Sequence, residues 1–108
     1  VKQGDVVLVR YPYTNLVDYK IRPAVIVSNE TFNKAHSSFL ACPITSKPTL
    51  PEYCLELTPE NFHGKLETRS FVRTDSMAAV EKELCLKEIG FVEPAFLKAL
   101  VEKIAKNF

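Results

Sequence analysis

The sequence predicts a small, mostly antiparallel β-barrel or curled sheet, covered on one side by a single C-terminal helix. Three observations lead there. Short β-branched segments follow one another, no helical segments alternate with them in a βαβ rhythm, and one amphipathic stretch closes the chain. The 108 residues are 46% hydrophobic, which suits one domain spanning 1–108. A chain of this size can bury roughly two-thirds of its unfolded surface, so a core can form without disulfides or a metal.

Gly4-Asp5 turns the chain into Val6-Val7-Leu8-Val9-Arg10, whose unbroken apolar run marks a strand buried on both faces. Tyr11-Pro12-Tyr13-Thr14-Asn15 is expected to leave the sheet, because a proline cannot donate to a ladder and holds the preceding residue extended. A loop then runs to Arg22-Pro23. Ala24 to Ser28 reads as the second strand, Phe39 to Thr45 as the third and Tyr53 to Leu57 as the fourth, with a turn or two of helix between Asn29 and His36. Thr58-Pro59-Glu60 has the form of a cap, a first-turn proline and an early acid, so a short helical turn is expected there, ended by His63-Gly64. Ser70 to Thr74 is a fifth strand and Met77 to Val80 a weaker sixth. From Pro94, Phe96, Leu97, Leu100, Val101 and Ile104 share one face and Lys98, Glu102, Lys103 and Lys106 the other, giving an amphipathic helix of about three turns.

With 14 Lys+Arg against 13 Asp+Glu the net charge is +1, which excludes a strongly basic arm but not a local phosphate-binding patch. Up to Pro48 there are 6 basic and 3 acidic side chains, and beyond it 8 and 10, so an anion site is expected to draw on the first half. No apolar run approaches the roughly 18 residues of a membrane span and no leader pattern opens the chain, so a cytoplasmic protein without membrane contact is expected. Cys42, Cys54 and Cys85 are odd in number and lack metal or disulfide spacing, so they read as small apolar residues.

The sequence contains no phosphate loop, no GxSxG elbow and no HExxH. His36 and His63 read as solvated loop histidines rather than proton-transfer groups. What remains is a stretch of aromatic, amide and basic groups, Tyr11, Tyr13, Asn15, Tyr19, Lys20 and Arg22, followed by Thr45-Ser46-Lys47. A guanidinium held beside a proline can bind a phosphate through two parallel bonds, and tyrosine faces can stack unpaired bases. Together they suggest single-stranded RNA. Each has a structural alternative: the tyrosines as barrel packing, and Arg22 as the partner of Asp5 or Asp18 in an ion pair.

At these residues the sequence resembles the MazF/PemK family of toxin endoribonucleases. The match runs through Gly4 to Val9, Tyr11 to Thr14, Arg22 to Asn29, Cys42 to Ser46, Gly64-Lys65-Leu66, Ser70 to Asp75 and Lys87 to Gly90, nearly the whole chain. The resemblance implies an SH3-like curled antiparallel β-barrel with a C-terminal α-helix. It also implies a homodimer that cleaves single-stranded mRNA without metal or cofactor, with a cognate antitoxin whose tail covers the RNA groove. In the family a 2′-hydroxyl attacks the adjacent phosphate, leaving a 2′,3′-cyclic phosphate and a 5′-hydroxyl. The family's catalytic arginine and threonine fall on Arg22 and Thr45.

That chemistry places negative charge on a phosphorane, which a guanidinium and a hydroxyl can stabilise without a cofactor. Arg22 is expected to stabilise this charge, with a possible second role as leaving-group acid, and Thr45 to donate to a phosphate oxygen. Tyr13, Asn15, Lys20, Ser46 and Lys47 are the candidate substrate-binding residues, and the general base stays open, since arginine is a poor base. One departure stands out: many family members carry a glutamine and then an arginine after the strand ending at Asp75, where this chain has Ser76-Met77-Ala78. The departure bears on sequence specificity and on activity. Two other functions fit the same barrel, a catalytically silent RNA- or antitoxin-binding module and a gyrase-poisoning toxin of the CcdB kind.

Overall fold

A computed structural model describes residues 1–12 and 19–108. Among these residues, eight strands form one curled antiparallel sheet with the order β4-β6-β3-β2-β1-β8-β5, and β7 pairs β3 beside β6. The strands are β1 (Asp5–Pro12), β2 (Tyr19–Ile26), β3 (Ser38–Thr45), β4 (Cys54–Leu57), β5 (Phe62–Gly64), β6 (Ser70–Arg73), β7 (Ala78–Glu81) and β8 (Cys85–Val92). Helix α1 (Glu30–Ala35) joins β2 to β3, and α2 (Pro94–Ala105) closes the chain. The expected small β-barrel with a terminal helix is the fold observed.

The central strands are buried on both faces, as the unbroken apolar run in β1 predicts. Val6, Val25, Cys42 and Ile44 point into one cluster, which Val72, Leu100 and Ile104 complete under α2. Val7, Val9, Ala24, Ile26, Phe39 and Ala41 point into a second cluster on the opposite side. The period-two alternation of a strand produces this split: neighbours such as Val6 and Val7 serve different cores. Helix α1 starts where Asn29 accepts a 2.9 Å bond from the Phe32 amide, a capping bond that satisfies one of the helix's orphan donors.

Several expectations are corrected. Strand β1 does not end before Tyr11; Tyr11 and Pro12 pair with Lys20 and Tyr19. Beyond Val9 the strand has lost β8 as a neighbour, and proline is tolerated where one side is an edge. The loop expected to reach Arg22-Pro23 is instead β2 from Tyr19 on, with Val9 opposite Arg22 and Leu8 opposite Pro23. The helical turn expected at Thr58-Pro59-Glu60 is a hydrogen-bonded turn only, in which the Asn61 and Phe62 amides donate to the Thr58 carbonyl at 3.1 and 2.9 Å. His63-Gly64 belongs to β5 rather than to a helix end.

Strand β8 has no counterpart among the expected strands. It is created by pairing with β1 on one side and β5 on the other, and Gly64 lies opposite Gly90 there. Gly64 adopts φ +151°, and a Cβ on Gly90 would lie 2.2 Å from the His63 carbonyl and within 2.9 Å of the Phe62 ring. Side chains are absent at both positions because Phe62 packs against this backbone. The two sheet edges, β4 and β5, are tied by Asn61, whose Nδ2 donates to the Glu56 carbonyl at 3.2 Å. On α2, Leu100 and Ile104 are buried as expected, but Val101 is 41% exposed and falls off the buried stripe.

Candidate active site

The site follows from two prolines. Pairing of β2 with β3 stops at Ala24 opposite Pro43, and the next residue of β2 is Pro23. Neither proline has an amide hydrogen to extend the ladder. Pro43 also sits where β3 passes from its partner β7, which it pairs through Ala41, to β6, which it pairs from Ile44. Continuing the β2–β3 register past the prolines sets Arg22 opposite Thr45, beyond the last paired residues of the two strands. A cleft of about 530 Å³ opens there, and its lining includes both residues.

Lys20, Ser46 and Lys47 also line this cleft, so five of the seven candidate site residues converge. The other two, Tyr13 and Asn15, lie outside the described residues. Within the lining, three cations from the first half of the chain, Lys20, Arg22 and Lys47, face a single acid, Glu67. Three of the six basic side chains of the first half therefore line one hollow. Arg22 is partly buried, whereas Lys20, Ser46 and Lys47 are exposed. Asp5, one of the partners considered for Arg22, accepts from the Lys2 amide at 3.0 Å.

Thr45 is held by its own turn. Its Oγ1 accepts from the Lys47 amide at 3.1 Å and donates to the Lys47 carbonyl over a long 3.4 Å. The accepting bond fixes the oxygen, and the weak donating bond leaves the proton easily redirected toward an anion in the cleft. The far wall, Leu66, Glu67, Thr68 and Ser70, was not among the sequence candidates. Buried Ser70 braces it by donating to the Thr68 carbonyl at 2.9 Å. Its only sequence signal was that Leu66 and Ser70 fall in blocks carrying the family resemblance.

Tyr11, first read as a stacking face, turns inward against the second core cluster, with its hydroxyl 3.4 Å from the Ala41 and Ser76 carbonyls. Burial, with a smaller contribution from Cys42, pushes its hydroxyl up to about 12. Burial and the nearby Asp75 raise the Cys42 thiol to about 12, consistent with its reading as a small apolar residue. The departures at Ser76 and Ala78 do not line the cleft; Ala78 pairs Ala41 in the sheet. His36 stacks on Phe32 and His63 on Phe91, both away from the Arg22–Thr45 cleft. Among the described residues no group of three or more His, Cys, Asp or Glu is placed to hold a metal ion. No helix among them is long and apolar enough to cross a membrane.

Fold and cleft together define a small curled-barrel protein with a hollow lined by Lys20, Arg22 and Lys47 beside a fixed hydroxyl. Residues 2–108 match the family profile of the PemK-like, MazF-like toxin of type II toxin-antitoxin systems, and the chain belongs to that family. Among curated proteins no sequence matches. Solved structures share the fold at low identity. The toxin MazF-mt6 of Mycobacterium tuberculosis is 20% identical, with 94% of this chain and 93% of that one covered at a TM-score of 0.75. MazF from Deinococcus radiodurans is 17% identical over 99% and 94% of the two chains, at 0.79. An endoribonuclease from a mycobacterial species, solved in complex with its cognate antitoxin, is 19% identical over 98% and 92%, at 0.78.

Proposed function

We propose that this toxin is a metal-independent endoribonuclease of single-stranded mRNA that leaves 2′,3′-cyclic phosphate and 5′-hydroxyl ends, and that Arg22 and Thr45 carry the reaction. The observation that supports this reading is the convergence of these two residues, from separate strands, in one basic cleft. A scissile phosphate seated there meets the Arg22 guanidinium, which neutralises the charge that develops as the 2′-oxygen attacks. Thr45 donates to a second phosphate oxygen after giving up only its long contact with the Lys47 carbonyl. Lys20, Ser46 and Lys47 hold the flanking backbone; as the 2′-oxygen bonds to phosphorus its proton passes to the general base, which stays unassigned, the P–O5′ bond breaks, and the released 5′-oxygen gains a proton, for which Arg22 in the cleft lining is the assigned donor. The protein works as a homodimer and is restrained in the cytoplasm by a cognate antitoxin, in line with the solved relative found with its antitoxin.

The test is incubation of the protein with single-stranded RNAs in excess EDTA, beside Arg22→Ala and Thr45→Ala. The expected result is cleavage with cyclic phosphate ends, reduced about 10² to 10³-fold in each variant. Binding without cleavage would assign the silent-module function instead, and gyrase inhibition without cleavage the CcdB-like one. A requirement for a divalent metal would refute the mechanism.

A further inference from the structure

A second cleft, about 570 Å³ in volume, shares Leu66, Thr68 and Ser70 with the first. It follows the seam where the two sheet edges, β4 and β5, meet through the Thr58–Asn61 turn. Both hollows fall in the range of small-ligand pockets, roughly 300–1,000 Å³. A chain seated on Arg22 and Thr45 that crosses the shared wall enters this second hollow.

Arg69 stands in it with its side chain 76% exposed. Its Nε and Nη2 donate to Glu56 Oε2 and Oε1 at 2.6 and 2.9 Å, and its guanidinium carbon lies 5.3 Å from the centre of the Phe71 ring. A fork of two parallel bonds to two oxygens is also how a guanidinium holds a phosphate, so the Glu56 carboxylate occupies the place a phosphate would take. Exposed ion pairs contribute little to stability, so this one can open at little cost to the fold. At the same cleft His63 is braced on one side by Phe91, with ring centres 4.7 Å apart, and bonded through Nε2 to Glu93. Phe91 is itself half exposed. Fixed aromatic surfaces beside cations are what single-strand binders offer to unpaired bases.

We propose that the seam cleft is an extension subsite for single-stranded RNA, in which Arg69 exchanges Glu56 for a backbone phosphate flanking the scissile one and the His63 ring, backed by Phe91, stacks a base. The proposal rests on the RNA-cleaving reading of the Arg22–Thr45 cleft. It makes Glu56 a built-in competitor of the RNA, so that the two members of one ion pair have opposite effects on binding.

The test uses the cleavage site found with wild-type protein on mixed-sequence RNA. Labelled oligonucleotides carry a 2′-deoxy residue at that position, as a core of about four nucleotides or extended by about four on either side. Binding is read by fluorescence anisotropy across a salt series, with melting temperature recorded for each variant. Extension on one side is expected to tighten wild-type binding. Arg69→Ala should lose about tenfold on that longer RNA only, with its salt slope shallower by about 0.7, while Glu56→Gln should bind it about threefold tighter. Length dependence unchanged in both variants, or a loss of affinity in both that tracks their melting temperatures, would overturn the subsite and leave the cleavage reading intact. Wild-type protein that neither binds nor cuts any RNA would overturn both.

Discussion

Leu100→Ala and Val101→Ala, adjacent substitutions on α2, test how the terminal helix is seated. Leu100 is fully buried in the cluster with Val6, Val25, Cys42 and Val72, so its truncation removes apolar burial and leaves a hole beneath the helix. Buried leucine-to-alanine changes cost about 2–5 kcal/mol; a terminal helix can settle part of the way into the space, which places this one near 3 kcal/mol. Val101 is 41% exposed. Its truncation loses little contact, and alanine's better helix propensity offsets that loss, so the net change should stay within about 0.5 kcal/mol. On a domain of this size the first substitution lowers the melting temperature by about 15 °C and the second by no more than a few degrees. Urea unfolding followed by circular dichroism supplies the free energies, and an unchanged m-value shows that the unfolded ensemble is the same. Two variants within 1 kcal/mol of each other, or Val101→Ala as the costlier one, would refute this docking of α2.

Other changes probe the sheet, the alkaline limit and the site. Gly90→Ala must push a Cβ against the His63 carbonyl and the Phe62 ring, so it should cost about 3 kcal/mol in urea unfolding; Gly4→Ala, with φ +92° but a Cβ that meets Leu97 and Val92 only at ordinary contact distances of 3.7 and 3.8 Å, should cost about 1 kcal/mol. The Cys42 thiol is raised from 9.0 to about 12 in the fold, so its contribution to stability is complete below pH 9 and is lost as pH rises toward 12, where the unfolded chain has already released the proton. Cys42→Ala should flatten the decline measured between pH 9 and 11 by up to about 1.4 kcal/mol per pH unit, and an unchanged slope would show that the thiol does not carry it. Thr45→Ser should retain RNA cleavage within about tenfold while Thr45→Val loses at least about a hundredfold, since only the hydroxyl is required; equal losses would shift the role to the methyl group's packing.

Local pattern made much of the architecture legible. Val6 to Arg10 reads as a strand buried on both faces, and Ala24 to Ser28 and Phe39 to Thr45 read as strands; Val6, Val7 and Val9 are buried, as are Ala24 to Ser28 and Ala41 to Ile44, whereas Arg10 reaches solvent. The stripe on α2 was legible too, apart from Val101 at its margin. Strand β8 was not, because Lys87, Glu88 and Gly90 interrupt the apolar run and its pairing with β1 shifts register twice, between Val6 and Val7 and between Leu8 and Val9. The turn at Thr58 carries a helix-start signal that tertiary pairing overrides, since β5 takes the following residues into the sheet.

The division for the site is the same. Residue types pointed to the first half of the chain for an anion site, and the family blocks, written in local order, singled out Arg22 and Thr45. What brought them into one cleft was the antiparallel register of β2 and β3 and its end at Pro23 and Pro43, together with a wall supplied by Leu66 to Ser70. The pairing of Arg69 with Glu56 across β4 and β6 belongs to the same class of fact. These relations join residues distant in sequence, and register is set by many side chains packing at once, so the tertiary structure alone decided them.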